Sequence, residues 1–328
     1  MTIAVVGAGS WGTALAAHLR RRGDEVRLWA REPEVVAGIR LNRRNPFFLS
    51  DVDLPEGIEV SGDLNAVVDG VALVIVAVPS EFVALTLKSM TRIPEGAAVV
   101  SATKGFDPER HLRMTEVIAE RFPEAGVAAL SGPTFAREVV VGRPTAAVIA
   151  SRDTALAARL QEALGTRELR LYTNADVVGV EAGGALKNVM AIATGIADGL
   201  DLGQNARAAL ITRGLAELTR LAVALGAQAS TLAGLAGMGD LVLTCTGSLS
   251  RNRGLGIALA KGAVLERVEG ETKMIAEGAR TVRSALALAQ RHGVSLPICE
   301  EVAAVLFKGK LPAAALAALL GRAPTRED

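Results

Sequence analysis

The residues of this sequence best suited to chemistry include a lysine in an otherwise apolar predicted helix. Lys187 and Asn188 follow Gly183-Gly184-Ala185-Leu186 there. Such a lysine either extends its ammonium group to solvent or lies at a buried polar site. In a crevice, desolvation and neighbouring cations would favour the neutral amine, as acid/base catalysis by lysine near neutral pH requires. We therefore take Lys187 as the candidate proton donor and acceptor.

The paired glycines of the same helix allow two interpretations. Gly183 and Gly184 each cost about 1 kcal/mol relative to alanine within a helix, so something must approach the backbone closely there. A cofactor ring or a substrate is one candidate. Close packing against another helix explains the glycines equally well.

A second group of polar residues follows Gly239-Asp240-Leu241. Ser250 precedes Arg251 and Asn252, which together resemble the capped start of a helix. A guanidinium, a carboxamide and exposed backbone amides make a suitable cradle for a phosphate. An ordinary capped surface helix remains the alternative, because serine is a common N-cap.

Two predicted strand ends carry further candidates. Lys104 lies in Thr103-Lys104-Gly105, where it could meet an anionic substrate or simply be a surface lysine in a turn. Gly132 and Thr134 follow the next strand, and Gly-Pro-Thr is also a good helix start with Thr134 as its N-cap. In an open α/β sheet ligands bind at the carboxyl ends of strands. These residues are therefore expected to line one crevice.

The element that would position a cofactor in this crevice is a glycine fingerprint directly after the first predicted strand. Gly7 permits a tight turn, Gly9 lets the backbone approach a pyrophosphate, and Gly12 allows close helix packing. A strand at Glu25 to Trp29 follows the helix and completes a βαβ unit. The motif predicts a dinucleotide site, whereas the same spacing alone could mark only a tight turn.

Strands and helices alternate through the first half of the chain, which predicts a mostly parallel α/β sheet. We expect further strands at 72–78, 97–101, 126–130, 145–150 and 169–172, and helices near 34–40, from Ser80 and near 109–121. Beyond about Asn174 the apolar residues recur every three or four positions, as they do in helices. Helices are predicted near 182–197, 206–225, 230–236, 253–261, 278–292 and 299–307. The predicted domains are 1–178, Rossmann-like, and 179–328, all helical.

Composition excludes several classes of protein. A net charge of +1 and 3% aromatic residues do not favour a nucleic acid partner. Cys245 and Cys299 show no disulfide or zinc spacing, and no metal site is predicted. No histidine has an acidic or metal-ligand partner at useful spacing, which leaves lysine as the best proton donor. The longest apolar run, 71–79, is too short to span a membrane. A cytoplasmic protein without membrane insertion is expected.

The motifs taken together resemble bacterial NAD(P)-dependent glycerol-3-phosphate dehydrogenase over nearly the whole chain. The motifs that carry this resemblance are Gly7-Ala8-Gly9-Ser10-Trp11-Gly12-Thr13-Ala14, Ala102-Thr103-Lys104-Gly105, Leu130-Ser131-Gly132-Pro133-Thr134-Phe135-Ala136, Gly183-Gly184-Ala185-Leu186-Lys187-Asn188, Ala209-Leu210-Ile211-Thr212-Arg213-Gly214, Gly239-Asp240-Leu241 and Ser250-Arg251-Asn252-Arg253. Seven motifs that occur in the order found in the family are far more specific evidence than any single motif.

The resemblance implies reversible reduction of dihydroxyacetone phosphate to sn-glycerol 3-phosphate for glycerophospholipid synthesis. It implies that Lys187 transfers the proton and that Lys104 stabilises nearby charge. The implied substrate contacts are Lys104, Gly132, Thr134, Lys187, Asp240, Ser250, Arg251 and Asn252. The cofactor contacts, including the fingerprint glycines, are Gly7, Gly9, Ser10, Trp11, Gly12, Arg31, Lys104, Ala136, Arg251, Ile275 and Glu277. Asp240, Ile275 and Glu277 come from the resemblance alone.

The choice of cofactor depends on the end of the second strand. An NAD site usually presents an acidic residue to the adenosine ribose there, whereas Arg31 can meet a 2′-phosphate. NADPH is therefore expected to be preferred over NADH, although Glu32 follows immediately. One alternative is a related dehydrogenase of the β-hydroxyacid or 6-phosphogluconate type, and another is a nucleotide-sensing protein without turnover. A homodimer is compatible with the sequence, which does not determine the oligomeric state.

Overall fold

The computed structural model describes residues 1–271 and 277–323, and it places an α/β sheet before a helical region. The sheet has eight strands in the order β3-β2-β1-β4-β5-β6-β7-β8. The strands are β1 Thr2–Val6, β2 Glu25–Trp29, β3 Ile58–Ser61, β4 Leu73–Val76, β5 Ala98–Ser101, β6 Gly126–Ser131, β7 Thr145–Ala150 and β8 Leu169–Asn174. All neighbouring strands are parallel except β6 and β7. The predicted mostly parallel sheet followed by helices is confirmed.

The strand order reverses between β1 and β4, which lie side by side in the middle of the sheet. The chain leaves β1 toward one edge and returns to β4 before it proceeds toward the other edge. At such a switch point the two neighbouring connections diverge and leave a crevice at the carboxyl ends of the strands. The glycine fingerprint follows β1 and therefore lies at this crevice.

Seven helices accompany the sheet in the described part of the chain. They are α1 Ser10–Arg22, α2 Pro33–Asn42, α3 Leu64–Val68, α4 Ser80–Ser89, α5 Met114–Arg121, α6 Ala136–Val140 and α7 Thr154–Leu164. Separate apolar clusters pack on the two faces of the sheet. Burial on both faces explains why β4 consists of apolar residues only.

The helical region is built around one almost completely buried helix, α8 Val177–Gly199. The helices that follow are α9 Gly203–Ala224, α10 Ala229–Leu232, α11 Asp240–Thr246, α12 Arg251–Ala260, α13 Leu265–Glu271, α14 Glu277–His292, α15 Pro297–Phe307 and α16 Pro312–Leu320. A π-helical turn, Leu235–Gly239, precedes α11. Because α8 is surrounded by the others, polar side chains on it must find partners inside the protein.

Several predicted elements differ from the structure. The helix expected near 109–121 begins only at Met114, where the Glu116 carboxylate accepts a hydrogen bond from the Arg113 backbone amide at 2.8 Å. The segment expected as a helix at 230–236 is divided between α10 and the π-helical turn. The short elements β3, α3, α11 and α13 were not predicted, nor were α7 and α16. Short elements carry too few residues for a clear hydrophobic period.

One helical stretch in the described chain, Ala229–Thr246, is long and apolar enough to cross a membrane by length and composition alone. It comprises α10, the π-helical turn and α11, and 44% of it is buried. Asp240 is buried in this stretch and pairs with two lysines. The stretch is therefore part of the helical core.

Candidate active site

The glycine fingerprint forms a turn that fits the diphosphate of a dinucleotide. Gly7 has φ +117°, which favours glycine, and a Cβ at Gly12 would lie 1.8 Å from the Gly7 carbonyl oxygen. A Cβ at Gly9 would meet no atom within 4 Å, so the backbone there is open to a ligand. The turn leads directly into α1, whose N-terminal amides attract anions. The backbone thus turns at Gly7, is open at Gly9 and is closely packed at Gly12.

The fingerprint lines a cavity of about 1010 Å³ that extends from β2 to the helical region. The predicted site residues that line it are Gly7, Gly9, Ser10, Trp11, Arg31, Lys104, Thr134, Ala136, Lys187, Ser250, Arg251, Asn252 and Glu277. Gly12, Gly132 and Asp240 are buried and do not line the cavity. Ile275 lies outside the described residues. The cavity joins the predicted cofactor and substrate groups.

Two lysines and one carboxylate form the polar centre of the cavity wall. The Asp240 carboxylate accepts a hydrogen bond from Lys187 Nζ through Oδ1 and one from Lys104 Nζ through Oδ2, the latter at 2.7 Å. All three side chains are largely buried, with 1% of Asp240, 8% of Lys187 and 13% of Lys104 exposed. The carboxylate therefore offsets the charge of two cations that approach the same small volume.

This arrangement lowers the pKa of Lys187 to about 8. Burial is the largest cause, because it penalises the charged ammonium group. The negative charge of Asp240 opposes the shift, and the positive charge of Lys104 adds to it. A pKa near neutrality lets one side chain donate and accept a proton under ordinary conditions. The hypothesis that desolvation and neighbouring cations favour the neutral form agrees with this geometry.

Lys104 is held by more than its ion pair. Its Nζ also donates to the Gly132 carbonyl oxygen at 2.8 Å and to Thr134 Oγ1 at 3.1 Å. The surface-lysine alternative is therefore wrong. The N-cap prediction for Thr134 is wrong too, because α6 begins at Ala136 and Phe135 precedes it. Thr134 instead donates to the Gly132 carbonyl oxygen and accepts from Lys104. This turn therefore holds the Lys104 ammonium group and does not cap a helix.

The paired glycines of α8 serve packing rather than a ligand. A Cβ at Gly183 would lie 2.6 Å from the Ala236 carbonyl oxygen, and one at Gly184 would lie 2.3 Å from Ser131 Oγ. The first contact brings the π-helical turn against α8, and the second brings α8 against the end of β6. Close packing therefore explains both glycines. Their effect on chemistry is indirect, since they bring Asp240 and Lys104 within reach of Lys187.

The predicted phosphate cradle begins α12. Ser250 Oγ accepts a hydrogen bond from the Arg253 amide at 3.3 Å, which confirms the predicted N-cap. Asn252 is buried, donates to Asn188 Oδ1 at 3.0 Å and accepts from the Gly278 amide at 3.0 Å. Its side chain thus joins α8, α12 and α14 at the cavity wall. Arg251 is exposed on the first turn of α12 and lines the cavity.

Arg31 lies at the opposite end of the cavity, directly after β2. Its guanidinium stands 5.4 Å from the centre of the Phe82 ring and pairs with Glu32 at 2.8 Å. The side chain is 65% exposed. Stacking holds the guanidinium plane at the site where a dinucleotide places its adenosine ribose. Glu32 occupies one edge of that plane and leaves the remaining donors available.

Two parts of the site were missed by sequence reasoning. Thr244 is buried, and its Oγ1 accepts from Lys187 Nζ at 2.9 Å while it donates to the Asp240 carbonyl oxygen at 2.6 Å. The four-residue spacing from Asp240 could have revealed it, because such residues share a helix face. Phe47 and Phe48 also line the cavity, yet no pattern in the sequence marks their loop.

Fold and site together define a dinucleotide-dependent oxidoreductase whose cavity wall holds two buried lysines. The model of the NAD-dependent glycerol-3-phosphate dehydrogenase N-terminus matches residues 2–157, and the model of its C-terminus matches residues 176–317. The chain belongs to this family.

Similar proteins cover nearly the full length. The glycerol-3-phosphate dehydrogenase [NAD(P)+] of Geobacter sp. (strain M21) is 50% identical over 324 residues, which are 98% of this chain and 97% of that protein. That of Rhodospirillum rubrum is 49% identical over 321 residues, with 98% and 92% covered. The crystal structure of glycerol-3-phosphate dehydrogenase from Coxiella burnetii superposes with a TM-score of 0.94 at 40% identity and covers 98% of this chain and 99% of its own. The activity is accordingly interconversion of dihydroxyacetone phosphate and glycerol 3-phosphate with NAD(P), which implies a role in phospholipid synthesis.

Proposed function

We propose that Lys187 transfers the proton in this reaction, while the bound nicotinamide supplies or takes up the hydride. The observation that carries the proposal is the buried Lys187 ammonium group at the cavity wall, with Asp240 and Thr244 each accepting one of its hydrogens. An ammonium group has three hydrogens, so one remains for the substrate carbonyl oxygen. Protonation of the oxygen that becomes negative stabilises the transition state.

Lys104 is proposed as the second catalytic residue. Its ammonium group is fixed by the Gly132 carbonyl oxygen, Thr134 and Asp240, and it also lines the cavity. A cation held in place before the substrate arrives stabilises developing negative charge without reorganisation. Gly132, Thr134 and Asp240 would thereby serve the substrate mainly through the lysines they position.

We propose that Ser250, Arg251 and Asn252 bind the substrate phosphate. Replacing Arg251 by alanine should raise the KM for dihydroxyacetone phosphate about 10- to 100-fold, because a charge-assisted hydrogen bond contributes roughly 1.5–3 kcal/mol. With the cofactor saturating, so that a cofactor contact of Arg251 does not limit the rate, turnover of dihydroxyacetone, which has no phosphate, should stay unchanged. Steady-state rates with both ketones test this. Arg220→Ala, on α9, is the control, and an equal loss with both ketones would contradict a role in phosphate binding.

NADPH is the cofactor that we propose to be preferred, with Arg31 binding the 2′-phosphate. Arg31→Ala should lower the ratio of kcat/KM for NADPH to that for NADH about 10- to 100-fold, since it removes a charge-assisted contact. Arg170→Ala is a matched control, because Arg170 also stacks on an aromatic ring, at 5.2 Å from the centre of the Tyr172 ring. An unchanged ratio in Arg31→Ala would assign the preference to other residues.

The remaining cofactor contacts that we propose are Gly7, Gly9, Ser10, Trp11, Gly12, Lys104, Ala136, Arg251, Ile275 and Glu277. Among these, Glu277 lies at the start of α14 on the cavity wall. Burial raises the pKa of its carboxyl group, and the nearby cation of Arg251 partly offsets this. Glu277 could then accept or donate a hydrogen bond toward a neutral amide.

We also propose the division into domains at 178/179, a homodimeric assembly and a cytoplasmic location. The last strand ends at Asn174 and α8 begins at Val177, so the change from sheet to helices lies within a few residues of the proposed division, which falls in the first turn of α8. Sedimentation at several concentrations would test the assembly.

A further inference from the structure

A buried asparagine outside every predicted motif connects the glycine turn to the aromatic wall of the cavity. Asn45 has no exposed surface. Its Nδ2 donates to the Ala8 carbonyl oxygen at 2.8 Å and to Thr13 Oγ1 at 2.9 Å. Its Oδ1 accepts from the Phe47 amide at 3.3 Å and the Phe48 amide at 3.2 Å. The side chain thereby joins two segments that are distant in sequence.

The bond to Ala8 bears directly on the diphosphate site. When the amides at the start of α1 face the cavity, the Ala8 carbonyl points away from it, into the protein. A buried carbonyl oxygen without a partner costs about 1–3 kcal/mol. Apart from Asn45, Thr13 Oγ1 is the side chain that donates to this oxygen in the described chain, at a longer 3.3 Å. Asn45 therefore stabilises the orientation in which the turn presents its amides.

The other side of Asn45 fixes the aromatic wall. The Phe47 and Phe48 rings meet edge to face, with 6.3 Å between their centres, and both residues line the cavity. The Phe48 carbonyl oxygen accepts a hydrogen bond from Ser10 Oγ at 3.2 Å. Ser10 itself belongs to the glycine turn. The wall and the turn are thus held in one arrangement by Asn45 and Ser10.

We propose that Asn45 is a positioning residue for cofactor binding, which it serves by holding the glycine turn and the Phe47-Phe48 wall in the arrangement that binds the dinucleotide. It does not line the cavity itself, and its hydrogen bonds go to the glycine turn, Thr13 and the Phe47-Phe48 wall rather than to Lys187. Its loss should therefore weaken cofactor binding and leave the chemical step intact. The proposal rests on the cofactor site proposed above.

The test is the dissociation constant of NADPH, measured by quenching of tryptophan fluorescence. The chain has two tryptophans, Trp11 and Trp29, and both line the cavity. Asn45→Ala should raise the dissociation constant at least about tenfold, which corresponds to roughly 1.4 kcal/mol. The kcat at saturating NADPH and the KM for dihydroxyacetone phosphate should change less than about twofold, because the step after binding is unaffected.

Asn65→Ala is the matched control. The Asn65 amide also ties a loop of the sheet region, since it donates to the Ser89 carbonyl oxygen at 3.4 Å and accepts from the Thr91 amide at 2.9 Å. Asn65 neither touches the glycine turn nor lines the cavity. This variant should bind NADPH like the wild type. Thermal unfolding of both variants without cofactor separates lost stability from lost binding.

Thr13→Val keeps the proposal testable if Asn45→Ala does not fold. It removes the hydroxyl shared by Asn45 and the Ala8 carbonyl oxygen at nearly constant volume, and it should raise the dissociation constant about threefold or more. A folded Asn45→Ala variant that binds NADPH with wild-type affinity would overturn the proposal. A variant whose kcat falls about tenfold while its affinity for NADPH is unchanged would overturn it as well. If the folded wild type fails to bind NADPH, the proposed cofactor site itself is wrong.

Discussion

Replacing Lys187 by alanine should reduce kcat about 10²- to 10⁴-fold, the usual contribution of a positioned acid or base. The ammonium group is buried and fixed by Asp240 and Thr244, so alanine removes a proton donor that the folded chain holds in place. Cofactor binding should remain, because the hydrogen bonds of Lys187 go to Asp240 and Thr244 and not to the glycine turn. Steady-state rates and the NADPH dissociation constant separate the two effects.

The control for this substitution is Lys310→Ala. Lys310 pairs with Glu301 at 2.6 Å, beyond the end of α15, and should be replaceable without effect on turnover. Removing Lys187 should not unfold the protein, since Asp240 keeps Lys104 as an ion-pair partner at 2.7 Å. Near-normal turnover of Lys187→Ala at saturating substrate would exclude it as the proton donor.

Replacing Asp240 by asparagine should reduce both stability and activity. The substitution keeps the size of the side chain but removes the charge shared by Lys187 and Lys104. Breaking a buried ion pair by removing one partner typically costs about 3–5 kcal/mol, because the other charge stays buried without compensation. Urea unfolding at pH 7 should therefore show a clear loss in the free energy of unfolding.

The pH dependence of this variant has a definite sign. Asp240 raises the pKa of Lys187, so its removal lowers that pKa below the present value of about 8. Ketone reduction needs the protonated amine, and its rate falls as the pH rises through this pKa. In Asp240→Asn this fall in rate should occur at lower pH. Each pH unit by which the pKa of Lys187 lies below the assay pH lowers the protonated fraction about tenfold.

Stability should follow the same titration. Above pH 8 Lys187 is already mostly neutral in the wild type and gains less from Asp240, so the loss of stability should shrink as the pH rises. Profiles of kcat/KM and urea unfolding at several pH values test both statements. If the rate of Asp240→Asn falls at the same pH as that of the wild type, Asp240 does not govern the titration of Lys187.

The Asp240 contacts show where sequence reasoning stopped. Lys187 and Lys104 were selected from their chemistry and from the elements that carry them, but Asp240 came only from family resemblance. Nothing in the spacing of these three residues indicates that one carboxylate bridges both lysines. Such a contact depends on how α11 packs on α8 and beside the segment after β5 that carries Lys104.

The paired glycines and Thr134 also show what local sequence rules cannot decide. Local rules allowed a ligand at Gly183 and Gly184 and a helix cap at Thr134, and the structure shows close packing and a hydrogen bond with Lys104 instead. Local sequence restricts the backbone to a few options. The neighbours present in the folded chain select among them.

The sequence by itself determined the dinucleotide turn, the alternation of strands and helices, and the helical second half, because each depends on local backbone sterics or hydrophobic periodicity. Only the tertiary structure decided how Asp240 joins the two lysines, how Asn45 joins the turn to the aromatic wall, and how Arg31 stacks on Phe82. These contacts bring together residues far apart in the chain. Their geometry arises from the packing of whole elements, which no local pattern records.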